Sequence, residues 1–299
     1  MAKKRNGAKS MDMESMENLQ LLRQELESAD RVLLGAGAGL SAAAGLSYLD
    51  VTVFQKYFPE MVRFGYHCQY ELVGMRDDEW TPGRKWAYWA THIHYVRETL
   101  PPLPLYARLK EVLEGKDYFV VTSNADRQFM RSGFPMERLF EYQGSYDVMS
   151  CSERCTKHTW DSLPYLHTVL EHIDRENFEC REEGLPRCPH CGALADLTFR
   201  PENYREGYHR YADFVNSSID KRLCILEIGV GFNTPGVIRW PFEKFTARIP
   251  GAKLFRVNRG YRDLRRPGYP EVPEELEGKA FSIALDAGLV IDALSAPLA

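Results

Sequence analysis

The sequence predicts an α/β protein, with a Rossmann-like parallel sheet and a smaller cysteine-stapled module. Three observations predict it. Apolar, β-branched runs alternate with helical text and end in loops bearing Gly or Asn. The first such loop, "GAGAGLSAAAG", follows directly on "RVLL" and runs into alanines suited to a helix. Four of the seven cysteines fall in two tight pairs, Cys151/Cys155 and Cys188/Cys191.

Taken in order, residues 1–18 begin with a basic stretch, "MAKKRNGAKS", with no apolar core or cleavage site after it. This reads as a flexible tail rather than a signal peptide. Residues 15–28 place Leu19, Leu22 and Leu26 at helical spacing, which predicts an amphipathic helix. "RVLLGAGAG" is a short buried strand entering a glycine turn, the way doubly wound folds build a dinucleotide site. The alternation returns at "DYFVVTSNAD" (117–126), "RLCILEIGVGFNTPG" (222–236) and "AKLFRVNRG" (252–260), with "VIRWPFEKFTARI" as helix between the last two. Runs of this kind are parallel strands covered on both faces, and their carboxyl ends gather binding loops. The large domain is therefore assigned to 19–150 and 216–299. Residues 50–115, crowded with aromatics such as Tyr57, Trp80, Trp86, Tyr88 and Trp89, read as a helical insertion whose aromatics are core. No chemistry is assigned to them, nor to His92. Residues 151–215 form the cysteine module.

The bulk numbers exclude several classes. A formal charge of -4, with 44% apolar and 27% charged residues, fits a globular protein and offers no phosphate-backbone binder. Nucleic acid and membrane are not expected partners, and a cytoplasmic location is. Without an export signal, paired cysteines point to metal before disulfides. Cys151, Cys155, Cys188 and Cys191 can close a tetrahedral zinc site with no position left for water, a structural staple. The smaller unit thus reads as a metal-stapled module. Cys180, His158 or His190 could stand in for one ligand.

In the glycine loop, Gly35, Gly37, Gly39 and Gly45 let backbone approach a pyrophosphate, and a helix N-terminus favours its charge. The alternative is a tight helix–strand contact with no ligand. The acidic residue that an NAD dehydrogenase carries some twenty positions on is not evident, which argues against hydride transfer. Asn124 and Asp126 stand at a strand's carboxyl end, where a polar helix cap is the competing reading.

In order, these pieces resemble the sirtuin family. "GAGLSAAAGLSYLD" is similar to the family's GAG-x-S…G-I-P-D-F-R, matched at Gly37, Ala38, Gly39, Ser41 and Gly45. "TSNAD" resembles T-Q-N-I-D, matched at Thr122, Asn124 and Asp126, with Ser123 for the glutamine. "YQGS" stands where the family has L-H-G-S, "GVGFNTPG" in place of the G-T-S loop, and Asn258 at the asparagine after the next strand. The resemblance implies a Rossmann-like domain with a smaller zinc-ribbon/helical domain, NAD as substrate and zinc as structural metal. It puts Gly37, Ala38, Gly39, Ser41 and Gly45 near pyrophosphate and ribose, and Asn124 by the nicotinamide ribose. Asp126 falls at the nicotinamide carboxamide, and Gly229, Gly231 and Asn258 at the adenosine, with Ser123 counted among the cofactor-binding residues.

Two departures matter. P-D-F-R has become Ser47, Tyr48, Leu49 and Asp50, and the family's histidine base has become Gln143. Deacylation needs a base at a ribose hydroxyl, and imidazole suits that task near neutral pH. A carboxamide can orient the sugar by hydrogen bonds but takes no proton. Asn124 and Gln143 are therefore expected as catalytic residues for ADP-ribose transfer to a protein acceptor, with nicotinamide released. The pattern resembles macrodomain-linked (class M) microbial sirtuins. That group implies a lipoylated acceptor like the glycine-cleavage H carrier protein, a macrodomain hydrolase partner and a setting in oxidative stress. The alternatives are a protein deacylase or a non-catalytic NAD-binding sensor.

Overall fold

The computed structural model describes residues 2–73, 80–259 and 271–296. Parts of the expected insertion (74–79) and of the expected large domain (260–270 and 297–299), with residue 1 of the tail, lie outside the described residues.

Six strands form the main sheet: β1 (Arg31–Ala36), β2 (Tyr118–Thr122), β3 (Leu139–Glu141), β9 (Leu223–Ile228), β10 (Ala252–Val257) and β11 (Ala280–Ile283). They run parallel in the order β11-β10-β9-β1-β2-β3. All six residues of β9 and all five of β2 are buried, as a sheet covered on both faces requires. The four strands read from the sequence are β1, β2, β9 and β10. The short edge strands β3 ("LFE") and β11 ("AFSI") carry too few residues for a periodic signal. The chain steps outward from β1 to β2 and β3, then returns on its other side as β9, so the strand order reverses between β1 and β9. Crevices open at the carboxyl ends of strands on either side of such a reversal.

Helix α1 (Ala2–Ser28) extends back through the residues expected as a tail. Buried Ser15 accepts a hydrogen bond from the Ala284 N–H, and Asn18 donates to the Ser282 carbonyl at 2.8 Å. The end of the supposed tail is thus fastened beside β11, a contact between residues some 270 positions apart that local composition does not encode. Helix α2 (Ala38–Ala43) follows the glycine loop. Helices α3 (Val51–Tyr57), α4 (Pro59–Arg63), α5 (Gln69–Val73) and α6 (Pro82–Ile93) form the insertion, and α6 runs on as a π-helix, His94–Thr99. Helix α7 (Pro104–Val112) packs its Leu105, Tyr106 and Leu109 into the main core. The short α8 (Gln128–Arg131) follows β2.

The cysteine module holds β4 (Val148–Cys151), β5 (Trp160–Asp161), α9 (Leu163–Glu171), β6 (Ile173–Asp174), β7 (Glu179–Cys180) and β8 (Ala195–Leu197). The order β5-β4-β8 makes a three-stranded antiparallel ribbon. It does not stand alone. Trp86 of α6 donates its indole N–H to the Ala195 carbonyl at 2.9 Å, and shares an apolar cluster with Met149, Leu166 and Val169. Helices α3 to α6 of the first interruption thus pack with α9 and the ribbon of the second as one small domain, while α7 stays with the main core. Helix α10 (Tyr204–Asn216) packs Tyr211 and Val215 against Phe119 and Phe140 of the sheet, on the side opposite to α1. Helix α11 (Arg239–Arg248) covers the same face, and α12 (Ala287–Ser295) the other.

Candidate functional site

A cleft of about 970 Å³ opens where the β1 and β9 loops meet the small domain. Its floor comes from two glycine loops in contact. The Gly39 N–H donates to the Gly229 carbonyl at 2.9 Å. A Cβ on Gly37 or Gly39 would come within 2.6 Å of Gly229, and one on Gly229 within 2.3 Å of the Leu40 nitrogen, where φ is also +64°. Only hydrogen fits on either side. Bare backbone at 37–39 and 229–231 therefore faces the cleft together.

The sequence-predicted glycines divide. Gly37, Gly39, Gly229 and Gly231 line the cleft with Ala38. Gly35 does not: its missing Cβ makes room for Phe242 and Ile238, the tight helix–strand contact that stood as the alternative. Gly45 is not among the lining residues either. It turns the chain out of α2 at φ +103°, with open space about it.

Ser41, Ser123, Asn124, Asp126, Gln143 and Asn258 all line the same cleft. Ser41 Oγ lies at their centre. It donates to Asp126 Oδ2 at 2.7 Å, and accepts from Asn124 Nδ2 (3.0 Å) and the Tyr106 hydroxyl (2.7 Å). One donor and two lone pairs are thereby used up, so Ser41 organises its neighbours. Asn124 Nδ2 also donates to the Gly37 carbonyl at 3.0 Å. With its N–H groups spent on protein, Asn124 can offer a ribose hydroxyl its carbonyl oxygen. Asp126 Oδ1 accepts the Gln128 N–H at 3.0 Å, and burial raises its carboxyl above the usual range. On the β9 side, Asn258 Nδ2 donates to the Val230 carbonyl at 3.1 Å. Fully buried Arg239 stacks on the Phe232 ring at 4.0 Å and pairs with Glu227, which Arg256 also holds, at 2.7 Å.

Gln143 is exposed at the cleft wall, in the turn after β3. No histidine lines the cleft among the described residues. His92 lies behind the wall, its Nε2 3.4 Å from the Tyr48 hydroxyl and its Nδ1 bonded to Gln69. Complete burial pushes its imidazole down to about 3, so it stays neutral at physiological pH.

Sequence reasoning missed several residues. Tyr48, Tyr88, Trp89, Tyr146 and Phe199 line the cleft; Tyr88 and Trp89 read as core of the insertion, and the other three are not singled out. Tyr48 and Tyr146 share a hydroxyl contact of 2.5 Å. Only position in the loop where P-D-F-R is expected could have singled out Tyr48. Nothing in the sequence marks Tyr106, which reaches the site from α7.

The four cysteines of the two pairs converge. Their Sγ atoms all lie within 4.8 Å of one another, with Cys151–Cys191 and Cys155–Cys188 each at 3.6 Å. Four thiolates about 2.3 Å from one zinc stand roughly 3.8 Å apart, so the quartet fits that metal. Cys180 faces the Val169 carbonyl instead, its thiol pushed up to about 11 by burial. His158 and His190 stack on each other, and His158 pairs with Glu202.

No protein-family model matches the chain. A "probable bifunctional ADP-ribose hydrolase/ADP-ribosyltransferase" of Fusarium oxysporum f. sp. cubense is 36% identical over 286 residues, 91% of this chain. The chain spans 46% of that relative's length. A protein ADP-ribosyltransferase of Staphylococcus aureus is 25% identical over 93% of this chain and 87% of its own length. An NAD-dependent protein deacylase of Thermus thermophilus is 31% identical, over 48% of this chain and 53% of its own. Among solved structures, a Sir2 homologue–NAD complex superposes with a TM-score of 0.58 at 17% identity, over 92% of this chain and 91% of that one. At that identity the likeness establishes the fold.

Proposed function

We propose that the chain is a member of the sirtuin family, alongside relatives named as ADP-ribosyltransferases, and that it transfers ADP-ribose from NAD to a protein acceptor and releases nicotinamide. The carrying observation is Gln143 at the cleft wall with no histidine in its place.

NAD, when bound, supplies an electrophilic ribose carbon and a nicotinamide leaving group. The bare backbone at 37–39 and 229–231 is the surface a pyrophosphate can approach, with Ala38 exposed between. Ser123 and Gly231 contribute cleft wall, and Asn258 secures the loop on the adenosine side. Asn124 accepts from a ribose hydroxyl, and Asp126, locked by Ser41 and Gln128, holds the nicotinamide carboxamide. Gln143 orients the sugar from the opposite wall. It cannot remove the hydroxyl proton on which deacylation depends. His92 does not substitute, since a buried imidazole at about 3 takes up no proton near neutrality.

By resemblance to class M sirtuins, the acceptor is a lipoylated carrier like the glycine-cleavage H protein, and a macrodomain hydrolase reverses the mark during oxidative stress in the cytoplasm. The Fusarium relative, whose name joins an ADP-ribose hydrolase to a transferase, supports such a pairing. The test uses adenine-labelled NAD with the lipoylated carrier. Label is expected on the acceptor, with nicotinamide released, and both signals should fall in Asn124→Ala and Gln143→Ala. Retention unchanged in both variants would remove these residues from the mechanism. Stoichiometric O-acyl-ADP-ribose from an acyl-lysine peptide would favour deacylation, and NAD binding without nicotinamide release a sensor.

A further inference from the structure

Beneath the cleft lies a cluster of charges that the transfer reading does not use. Arg127 directly follows Asp126, in the loop after β2. It is a non-glycine residue in the left-handed region, φ 62° and ψ 13°, a conformation that persists where surrounding contacts hold it. Its guanidinium bonds the Glu141 carboxylate through Nη1 and the Asp147 carboxylate through Nε, at 3.2 Å. Asp147 takes a second cation, Arg97 of the π-helix, at 2.7 Å, and a hydroxyl from Ser145. All four charged side chains are at most 14% exposed.

The two acids flank Gln143. Glu141 ends β3, opposite Thr122 of β2, and Asp147 stands just before β4. Between them, the Tyr142 N–H donates to the Thr122 carbonyl, Gly144 turns at φ +79° with its N–H on the Glu141 carbonyl, and the Tyr146 N–H donates to the Ala125 carbonyl. Gln143 is exposed at the apex. Its place is therefore set by the base of its turn, and one guanidinium ties both ends of that base to the residue after Asp126.

We infer that Arg127, through Glu141 and Asp147, is a positioning residue that sets Gln143 at a fixed distance from Asn124 and Asp126 across the cleft. Arg97 supports it by holding Asp147. Buried Arg–carboxylate pairs are a weak source of net stability but specify geometry where they persist. Glu141 adds sensitivity to pH. Burial, opposed by Arg127 and Arg97 and reinforced by Asp147 and Asp126, raises its carboxyl to about 7. Below that pH the Arg127 contact loses its ionic half; above it the clamp is fully charged.

The kinetic part of the test rests on the transfer reading, the spectroscopic part does not. In wild-type protein saturated with NAD, the backbone amide NMR signals of Gln143 and Gly144 should titrate near neutral pH, and Glu141→Gln should flatten that titration. The charge-balanced double variant Arg127→Met/Glu141→Gln should shift and broaden both signals, and Arg127→Lys should restore them in part. Nicotinamide release should fall about a hundredfold in the double variant, the scale of a misplacement near 1 Å, with NAD affinity by calorimetry unchanged. Unaltered amide signals in the double variant would overturn the inference whether or not any variant turns over. Wild-type protein that releases no nicotinamide would instead sink the transfer reading alone.

Discussion

Asn124 shows how one amide can be both scaffold and functional group. Its nitrogen donates to the Gly37 carbonyl and to Ser41 Oγ, both at 3.0 Å, so the residue joins the β1 loop to the β2 loop. Asn124→Asp keeps the shape but places an oxygen against the Gly37 carbonyl. The expected result is a stability loss of about 1–3 kcal/mol, the cost of a buried polar group left unmatched. It should be read as a lower urea midpoint with an unchanged slope. A midpoint equal to wild type would show that the amide nitrogen does not hold the loop. Gln143 and Asn124 were legible in the sequence because each sits in a short stretch of matched residues. Tyr106 was not, because it stands 65 positions along the chain from Ser41 and only the folding of α7 brings the two together.

The glycine loops carry their information as elements, through packing on each other. Gly229 and Gly45 both have positive φ, but only Gly229 faces backbone at 2.3 Å. Gly229→Ala should therefore push the two loops apart and weaken NAD binding tenfold or more in a calorimetric titration. Gly45→Ala should cost stability through its φ and leave NAD affinity unchanged. Equal affinity losses in the two would mean that loop contact is not what shapes the cleft. The sequence placed Gly35, Gly37, Gly39 and Gly45 in one loop and treated them alike. It could not separate Gly35, which faces α11, from Gly37, because the direction of a missing side chain is set by the strand's place in the sheet. The edge strands were too short to carry a periodic signal, and the docking of α1 beside β11 joins residues some 270 positions apart.

At the scale of the molecule, a sheet built from two runs on either side of β1 leaves a crevice, and a small domain closes over it. That domain is assembled from parts of two separate interruptions of the chain, joined by Trp86 on Ala195 and stapled by the four cysteines. Removing metal with a chelator and reductant should split one calorimetric transition into two, the earlier one losing near-ultraviolet ellipticity from Trp86 and its neighbours while the parallel sheet endures. A single unchanged transition would mean that the thiolates do not carry the staple. What the sequence determined by itself was local chemistry. Four strands, the cysteine pairs and an amide in an imidazole's position are all written in contiguous residues. What only the tertiary structure decided was which groups meet: Tyr48 with Tyr146, Ser41 with Tyr106, and Arg127 with acids on both flanks of Gln143. Those encounters depend on the parallel crossovers of the sheet, which bring together loops far apart in the chain, and no spacing along a sequence records them.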